Sequence, residues 1–481
     1  MPCALLRAQD DFEAWKKLQK NGFDNYSEQQ KKYSEQQKKE FSDYRNKVNA
    51  EFADFMRKEW ESFQAFKGIP TPTKPKPVAA PQATPERQVA ASPIPFKEIQ
   101  PLPMPTVPRA PLAPIPPASR PTPAQPTFSF TFYNTVCKVS LDASQKFTLR
   151  NITENSVADA WKTLSDSRYN DLLNDCLNLR EELNLCDWGY IEMLKALSEK
   201  FFGKPCNEAV LLQMYILTQS GYKVRIARVG ERLALLVPFQ QTVYEYTYVP
   251  IQGQNYVMTD KSIKGGKIFL LNHEFPKEQQ ASLQPSQPNF PIVATPVKEF
   301  VSKRYPDLHL SISTNKNLLD FYNTYPRSEW NLYVAASLSE TLKQELYPTL
   351  KQKLSGKSEK EAVNILINFV QTAFEYKTDE EQFGAERPLF ADETFFYPYS
   401  DCEDRSILFS ILVKELLHLD VILLNYPNHL ATAVCFQQEV TGDYLTIEGK
   451  TYIICDPTYI GADIGNAMPQ YQNTPAKVIR L

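Results

Sequence analysis

Between residues 9 and 68 the aromatic positions Tyr26, Tyr33, Phe41, Tyr44, Phe52, Phe55 and Phe63 recur at roughly helical spacing. The residues between them are largely Gln, Glu and Lys, which favour helix, and neither Gly nor Pro occurs from Asp24 to Lys67. The pattern predicts a long helix or helical hairpin over 9–68. The heptad Tyr-Ser-Glu-Gln-Gln-Lys-Lys stands twice, at 26–32 and 33–39. A heptad period implies a seam that packs against a partner or folds back on the body of the protein. A cell-envelope partner would engage this helix; a polar surface helix docked by its aromatic stripe is the simpler arrangement.

The pattern changes abruptly at residue 69. Residues 69–126 hold about half of the 37 prolines, with few aromatics. Such a segment reads as an extended, disordered spacer with polyproline stretches. From Thr127 the chain turns globular. Phe128 to Val139 alternates like a strand. Helical patterns follow at Val157–Leu164, Tyr169–Leu183, Tyr190–Phe202 and Asn207–Gln219. Strand-like runs come next, at Val224–Val229, Leu233–Phe239, Val243–Val249 and Tyr256–Met258. A Gln, Ser and Pro-rich connection near Lys277–Pro291 separates a first unit, 127–285, from a second, 286–481. The second unit predicts helices at Leu318–Asn323, Leu338–Leu354 and Glu359–Phe374, the last opened by Ser358 and Glu361 in capping-box spacing. An aromatic loop, Tyr376–Tyr399, leads to a further apolar helix at Ile407–Leu417. Strands at Val421–Asn425, Leu430–Phe436, Tyr444–Ile447 and Tyr452–Cys455 follow, and then a loop-like tail from Gly461.

Composition narrows the function. A net charge of −3 over 481 residues gives no electrostatic case for nucleic acid or an anionic membrane. No stretch approaches the roughly 20 apolar residues of a membrane helix. Eight cysteines without Cys-x-x-Cys spacing, and four histidines without His-Glu-x-x-His, make neither a disulfide scaffold nor a zinc site. Residues 1–8, Met-Pro-Cys-Ala-Leu-Leu-Arg-Ala, read as the remnant of a signal peptide, which would place the protein in the periplasm or at a bacterial cell surface.

Candidate chemistry centres on Ser400-Asp401-Cys402-Glu403-Asp404-Arg405-Ser406. A cysteine at the first turn of a buried helix sits at the positive end of the helix dipole, which favours a thiolate. Twenty-seven residues later His429 opens a strand, and twenty-seven after that Asp456 closes another, before Pro457-Thr458. Thiolate, imidazole and carboxylate in that order supply a nucleophile, its base and an orienting acid. Each also has a bland alternative: Cys402 a small core residue, His429 a strand-edge polar group, Asp456 a turn former. Asp404 and Arg405 are either support for the site or a capping carboxylate and a surface ion pair.

The first unit repeats the arrangement. Cys206 opens a helix, Arg232-Leu233-Ala234 starts a strand as His429-Leu430-Ala431 does, and Ile251-Gln252-Gly253 through Asp260 parallels Ile447-Glu448-Gly449 through Asp456. Cys206 to Asp260 spans 54 residues, as does Cys402 to Asp456. Three matches in one order indicate a tandem repeat. Arg232 cannot act as a base near neutral pH, so the Cys206, Arg232, Asp260 set is expected to be inert.

Asp401-Cys402-Glu403-Asp404, His429 and Asp456-Pro457-Thr458 together resemble the transglutaminase-like superfamily of papain-type thiol enzymes. The likeness runs over about 355–460 and, in degenerate form, 190–262. It implies an α+β fold of two tandem papain-like domains, each with a nucleophile helix on an antiparallel sheet, behind an N-terminal helix and a Pro-rich linker. It further implies amide-bond chemistry on a peptide or protein without cofactor or metal, with Cys402 as nucleophile, His429 as base and Asp456 as orienting acid. Tyr397 or Tyr399, upstream of the cysteine, would serve the oxyanion. The same superfamily includes non-enzymatic scaffolds, so a cell-envelope binding or assembly module is the alternative.

Overall fold

The computed structural model describes residues 32–33, 35–36, 39–72, 76–83, 91–100 and 128–481. In chain order the first part holds helix α1 (39–56), strands β1 (Glu61–Ala65) and β2 (Phe96–Gln100), and the hairpin β3 (Phe128–Phe132)/β4 (Thr135–Val139). Helices α2 (Glu154–Leu164), α3 (Asn170–Glu182), α4 (Asp187–Phe202) and α5 (Asn207–Gln219) precede β5 (Arg225–Val229), β6 (Arg232–Pro238), β7 (Tyr248–Ile251), β8 (Gln254–Met258) and β9 (Gly266–Leu270). The second part begins with β10 (Lys298–Val301) and β11 (His309–Ile312), then α6 (Lys316–Tyr322), α7 (Trp330–Ala335), α8 (Glu340–Leu354) and α9 (Glu359–Thr372). Short elements follow: β12 (Glu375–Tyr376), α10 (Asp379–Phe383), α11 (Ala391–Phe396) and β13 (Tyr399–Ser400). They lead into α12 (Cys402–Leu417), β14 (Asp420–Tyr426), β15 (His429–Cys435), β16 (Tyr444–Ile447), β17 (Lys450–Cys455) and β18 (Ala476–Arg480). The chain is thus mixed α+β.

The two large sheets have the same plan. One runs β1-β9-β5-β6-β8-β7, the other β2-β18-β14-β15-β17-β16. The registers correspond residue by residue. Val229 faces Arg232 across one hairpin, and Tyr426 faces His429 across the other. Leu236 pairs with Met258 as Ala433 pairs with Ile454, and Ile251 with Gln254 as Ile447 with Lys450. The internal repeat read from the sequence is therefore a repeat of topology, with α4 and α5 standing where α9 and α12 stand. The sheets are antiparallel throughout except where β2 joins β18 in parallel.

β6 and β15 are buried on both faces, which explains their unbroken apolar sequences. One face of each sheet, carrying Leu233 and Leu235 or Leu430 and Val434, joins a hydrophobic core that runs continuously through both units. The opposite faces close over separate clusters, around Leu236 and Met258 in one and Ala433 and Ile454 in the other. Helix α12 lies between β15 and β14 on one side and α9, α7 and α11 on the other. Its side chains from Cys402 to Val413 are accordingly buried all round. Each fully buried Ile, Leu or Phe there contributes about 1.5–3 kcal/mol of transfer free energy.

Several expectations need correction. The N-terminal helix stops at Met56, and Phe63 sits in β1, because the chain pairs with β9 there. Of the aromatic stripe, Phe52 is buried against Trp161 and Phe275, while Tyr33 and Tyr44 are exposed. The helix is docked on the body, with Asn49 and Gln219 exchanging amide hydrogen bonds of 3.1 and 3.0 Å. Tyr26 and the leader reading of residues 1–8 lie outside the described residues. The proline-rich stretch is not a plain spacer over its described residues. Ile94 N–H donates to Tyr444 O at 2.7 Å, β2 extends the second sheet, and Ala83 N–H donates to Ile460 O at 2.8 Å. Prolines space these contacts without preventing them, because an edge strand needs only alternate donors. The expected loop-like tail from Gly461 contains β18, an interior strand of the second sheet. The aromatic loop Tyr376–Tyr399 contains α10 and α11.

Candidate active site

Asp401 is the N-cap of α12 and Cys402 its first residue. The helix start is fixed by carboxylates: Asp401 N–H donates to Asp404 Oδ2 at 3.2 Å, and Leu389 N–H to Asp404 Oδ1 at 2.8 Å. One turn on, Ser406 Oγ donates to the Leu430 carbonyl at 3.0 Å, which ties the first turns of α12 to the opening of β15. Arg405 is wholly buried. It donates to Gln371 O at 3.1 Å, Phe374 O at 2.8 Å and Ser400 Oγ at 3.3 Å, capping the end of α9. Burial lowers its pKa to about 10, so it stays cationic at neutral pH. Asp404 and Arg405 therefore belong to the buried frame of the site, not to the surface.

His429 and Asp456 come together at the ends of β15 and β17. His429 Nε2 and Asp456 Oδ2 are 2.8 Å apart, both residues almost fully buried. The other oxygen, Asp456 Oδ1, accepts the N–H groups of Thr458 at 2.9 Å and Tyr459 at 3.2 Å, which fixes the carboxylate plane. Gln371 holds the loop from behind, donating to the carbonyls of Asp456, Tyr459 and Ala462 and accepting Gly461 N–H. The Tyr471 ring stacks on His429 at 5.3 Å and 7°. The remaining imidazole nitrogen, Nδ1, is buried and has no hydrogen-bond partner.

Cys402 does not complete the chain of hydrogen bonds. Its Sγ donates instead to Glu403 Oε2 at 3.1 Å. Burial, and then the Glu403 charge, push the thiol well above its ordinary pKa. The helix-dipole argument for a thiolate is overridden here, since a dipole worth about 0.3–1 kcal/mol cannot offset removal of an ion from water.

Lys76, which sequence reasoning left inside the spacer, is the decisive residue. Its ammonium reaches the start of α12 and binds Asp401 Oδ2 at 2.6 Å, Glu386 Oε1 at 2.9 Å, Asp379 Oδ2 at 3.6 Å and the Glu403 carboxylate. Burial works against its charge, yet Glu403 and Asp401 hold it protonated. Burial likewise opposes ionisation of Glu403, and Lys76 reverses this, keeping that carboxyl well below its usual range. The remaining acids go the other way. Burial and the Glu403 charge raise Asp379 to about 7 and Glu386 to about 9. Asp379, Glu386 and Glu403, and likewise Asp379, Asp401 and Asp404, bring oxygens within 4.8 Å of one another, a donor set suited to a cation. Here the chain itself supplies that cation.

The two tyrosines chosen for the oxyanion are engaged elsewhere. Tyr397 packs on Phe383 and Arg387, and Tyr399 lies under Lys377 with its backbone bonded to Gln382. Tyr376 Oη donates to the Pro77 carbonyl at 3.0 Å, and Tyr471, stacked on His429, donates to Asn428 Oδ1 at 2.5 Å. Neither carried a sequence signal, because each arrives from an element whose position depends on long-range packing.

In the first unit Arg232 takes the place of His429 and forms an ion pair with Asp260, with Ser262 Oγ accepting from its Nη1 at 2.9 Å. Cys206, Asn207, Arg232 and Asp260 line an open cleft of about 1100 Å³. The Cys206, Arg232, Asp260 set and the Cys402, His429, Asp456 set thus occupy equivalent places, one open and one covered. No family model, no curated protein and no solved structure matches the chain. Among the described residues no helix is long and apolar enough to cross a membrane.

Proposed function

We propose that the protein is an exported, cysteine-dependent enzyme of amide bonds, a peptidase, amidase or acyl transferase of the transglutaminase-like type, captured in a latent form. The observation that carries the reading is the buried His429–Asp456 pair, whose Nδ1 has no partner, together with the bond from Ser406 to the Leu430 carbonyl that ties the first turns of α12 to the opening of β15. An orphaned buried ring nitrogen costs about 1–3 kcal/mol, and a thiol turning from Glu403 toward it would recover that cost. In the working state Sγ gives its proton to Nδ1, and the thiolate attacks the amide carbonyl. The imidazolium then protonates the departing amine as the C–N bond breaks. Water or a second amine releases the acyl group from sulfur, with His429 taking the proton of the attacking molecule. Asp456 steadies the imidazolium throughout. The N–H groups at the start of α12 are the donors available to a developing oxyanion. The first unit, with Arg232 bound to Asp260, serves as a non-catalytic copy.

The test is release of a fluorescent amine from peptidyl-amide libraries by the Lys76→Met protein, with Cys402→Ala as control. Cys402-dependent release is expected; release that survives Cys402→Ala, or none at all, overturns the reading. One observation favours a non-catalytic envelope module: the thiol is bonded to Glu403 and not to His429. That alternative requires the Lys76→Met protein to be equally inert.

A further inference from the structure

We propose that the carboxylate pocket receiving Lys76 is a substrate subsite for a primary ammonium, so that the Cys402 centre acts on extended polypeptide bearing a lysine, and that residues 76–83 occupy this subsite in cis. The inference rests on Cys402 being a nucleophile, and it names what that nucleophile is presented with.

Four features carry it. Residues 76–83 cross the second unit with a bend at Val78–Ala79, Pro77 O accepting from Tyr376 Oη at 3.0 Å and Gln82 bridging to Ile460. Within this run Lys76 is the side chain driven inward: its side chain is 4% exposed, while Val78 is 76% exposed. One deeply inserted side chain on a segment whose other residues are half-buried or exposed is how a peptide is read by a pocket. Second, four carboxyl groups gather round one ammonium where a structural ion pair needs one, and Asp401 Oδ1 remains buried without a partner. Third, the pocket is contiguous with the candidate nucleophile. Glu403 uses one oxygen for Lys76 and the other for Cys402 Sγ, so the occupant of the pocket and the state of the thiol share one carboxylate. Fourth, the equivalent place in the first unit is an open cleft, which shows that the repeated fold does not itself demand a plug.

Lys76 is held as an ammonium without a free electron pair. It is therefore recognised as a cation and is not poised to attack an acyl group. A side chain of this length and charge in a substrate would make the same four contacts once residues 76–83 moved aside.

The test uses the full chain and a fluorescent synthetic peptide of residues 75–83, with a second peptide carrying norleucine for lysine. The Lys76→Met protein is expected to bind the lysine peptide at least about tenfold more tightly than the norleucine one, equivalent to about 1.4 kcal/mol. The unaltered protein, whose pocket is filled, is expected to bind it more weakly than the variant. A second measurement needs no variant: excess lysine peptide should speed iodoacetamide labelling of Cys402 in the unaltered chain, and the norleucine peptide should not. Equal binding of the two peptides, or no lysine-dependent acceleration, overturns the subsite. Lysine-selective binding with labelling indifferent to His429→Ala keeps the subsite and removes the enzyme. Labelling that depends on His429 with no lysine preference does the reverse.

Discussion

Replacing Lys76 with methionine keeps the aliphatic stem and deletes the ammonium. Four buried carboxyl groups, Asp379, Glu386, Asp401 and Glu403, then lose their shared partner. Removing one member of a buried ion pair costs about 3–5 kcal/mol. Glu403 bears most of this, because Lys76 is what keeps it ionised. The cluster can respond by binding protons, and each pH unit changes the cost of one bound proton by about 1.4 kcal/mol. The folded variant then binds more protons than its unfolded chain, so its stability falls as pH rises. The expected deficit is about 3–5 kcal/mol near pH 7, shrinking by about 3 kcal/mol near pH 5 as a proton stands in for the ammonium. With an unfolding entropy near 2.1 cal/mol/K per residue, this is about 3–5 °C in Tm if the whole chain melts as one. Calorimetric melts of both proteins across this pH range provide the measurement. A deficit that does not change with pH, or no deficit, would refute the argument that Lys76 neutralises the pocket.

Asp392 supplies an independent pH signature. Burial raises its carboxyl to about 6 while Ser339 N–H donates to it at 3.0 Å. The folded state holds this proton longer than the unfolded chain, so stability should fall by about 3 kcal/mol as pH rises from about 4 to about 6. Asp392→Asn should flatten that slope in urea titrations, and an unchanged slope would count against it. Gln371→Ala strands three buried carbonyls behind Asp456 and should cost about 3 kcal/mol or more, with a matching loss of any His429-dependent reactivity. An effect on stability alone would detach Gln371 from the site. A Cβ at Gly442 would fall 2.3 Å from Gly465 Cα, so Gly442→Ala should lower stability by roughly 2–4 kcal/mol in chemical unfolding. A neutral result would mean that the two loops are not in backbone contact.

What the sequence disclosed follows how local each signal is. His429 and Asp456 stand at the ends of elements with strong apolar patterns, so their pairing could be inferred from element order. The repeat was visible for the same reason, and the matching strand order extends it to the whole sheet. Lys76 was hidden because proline-rich composition suggests a solvated chain, and a single lysine there has no pattern to distinguish it. β18 was missed because Ala-Lys-Val-Ile-Arg is short and follows a polar, Pro-containing stretch, 466–475. The state of the thiol was also out of reach. A helix start favours a thiolate in general, but burial beside Glu403 reverses that here.

The most direct test of the account is the pH dependence of Cys402 alkylation in the Lys76→Met protein, with and without His429→Ala. A cysteine activated by His429 should react at a rate that levels off near neutral pH, and His429→Ala should lower that rate by about tenfold or more while moving the rise above the ordinary thiol pKa of about 8.5. Identical profiles for the two proteins, both rising only in alkali, would contradict a Cys402–His429–Asp456 centre.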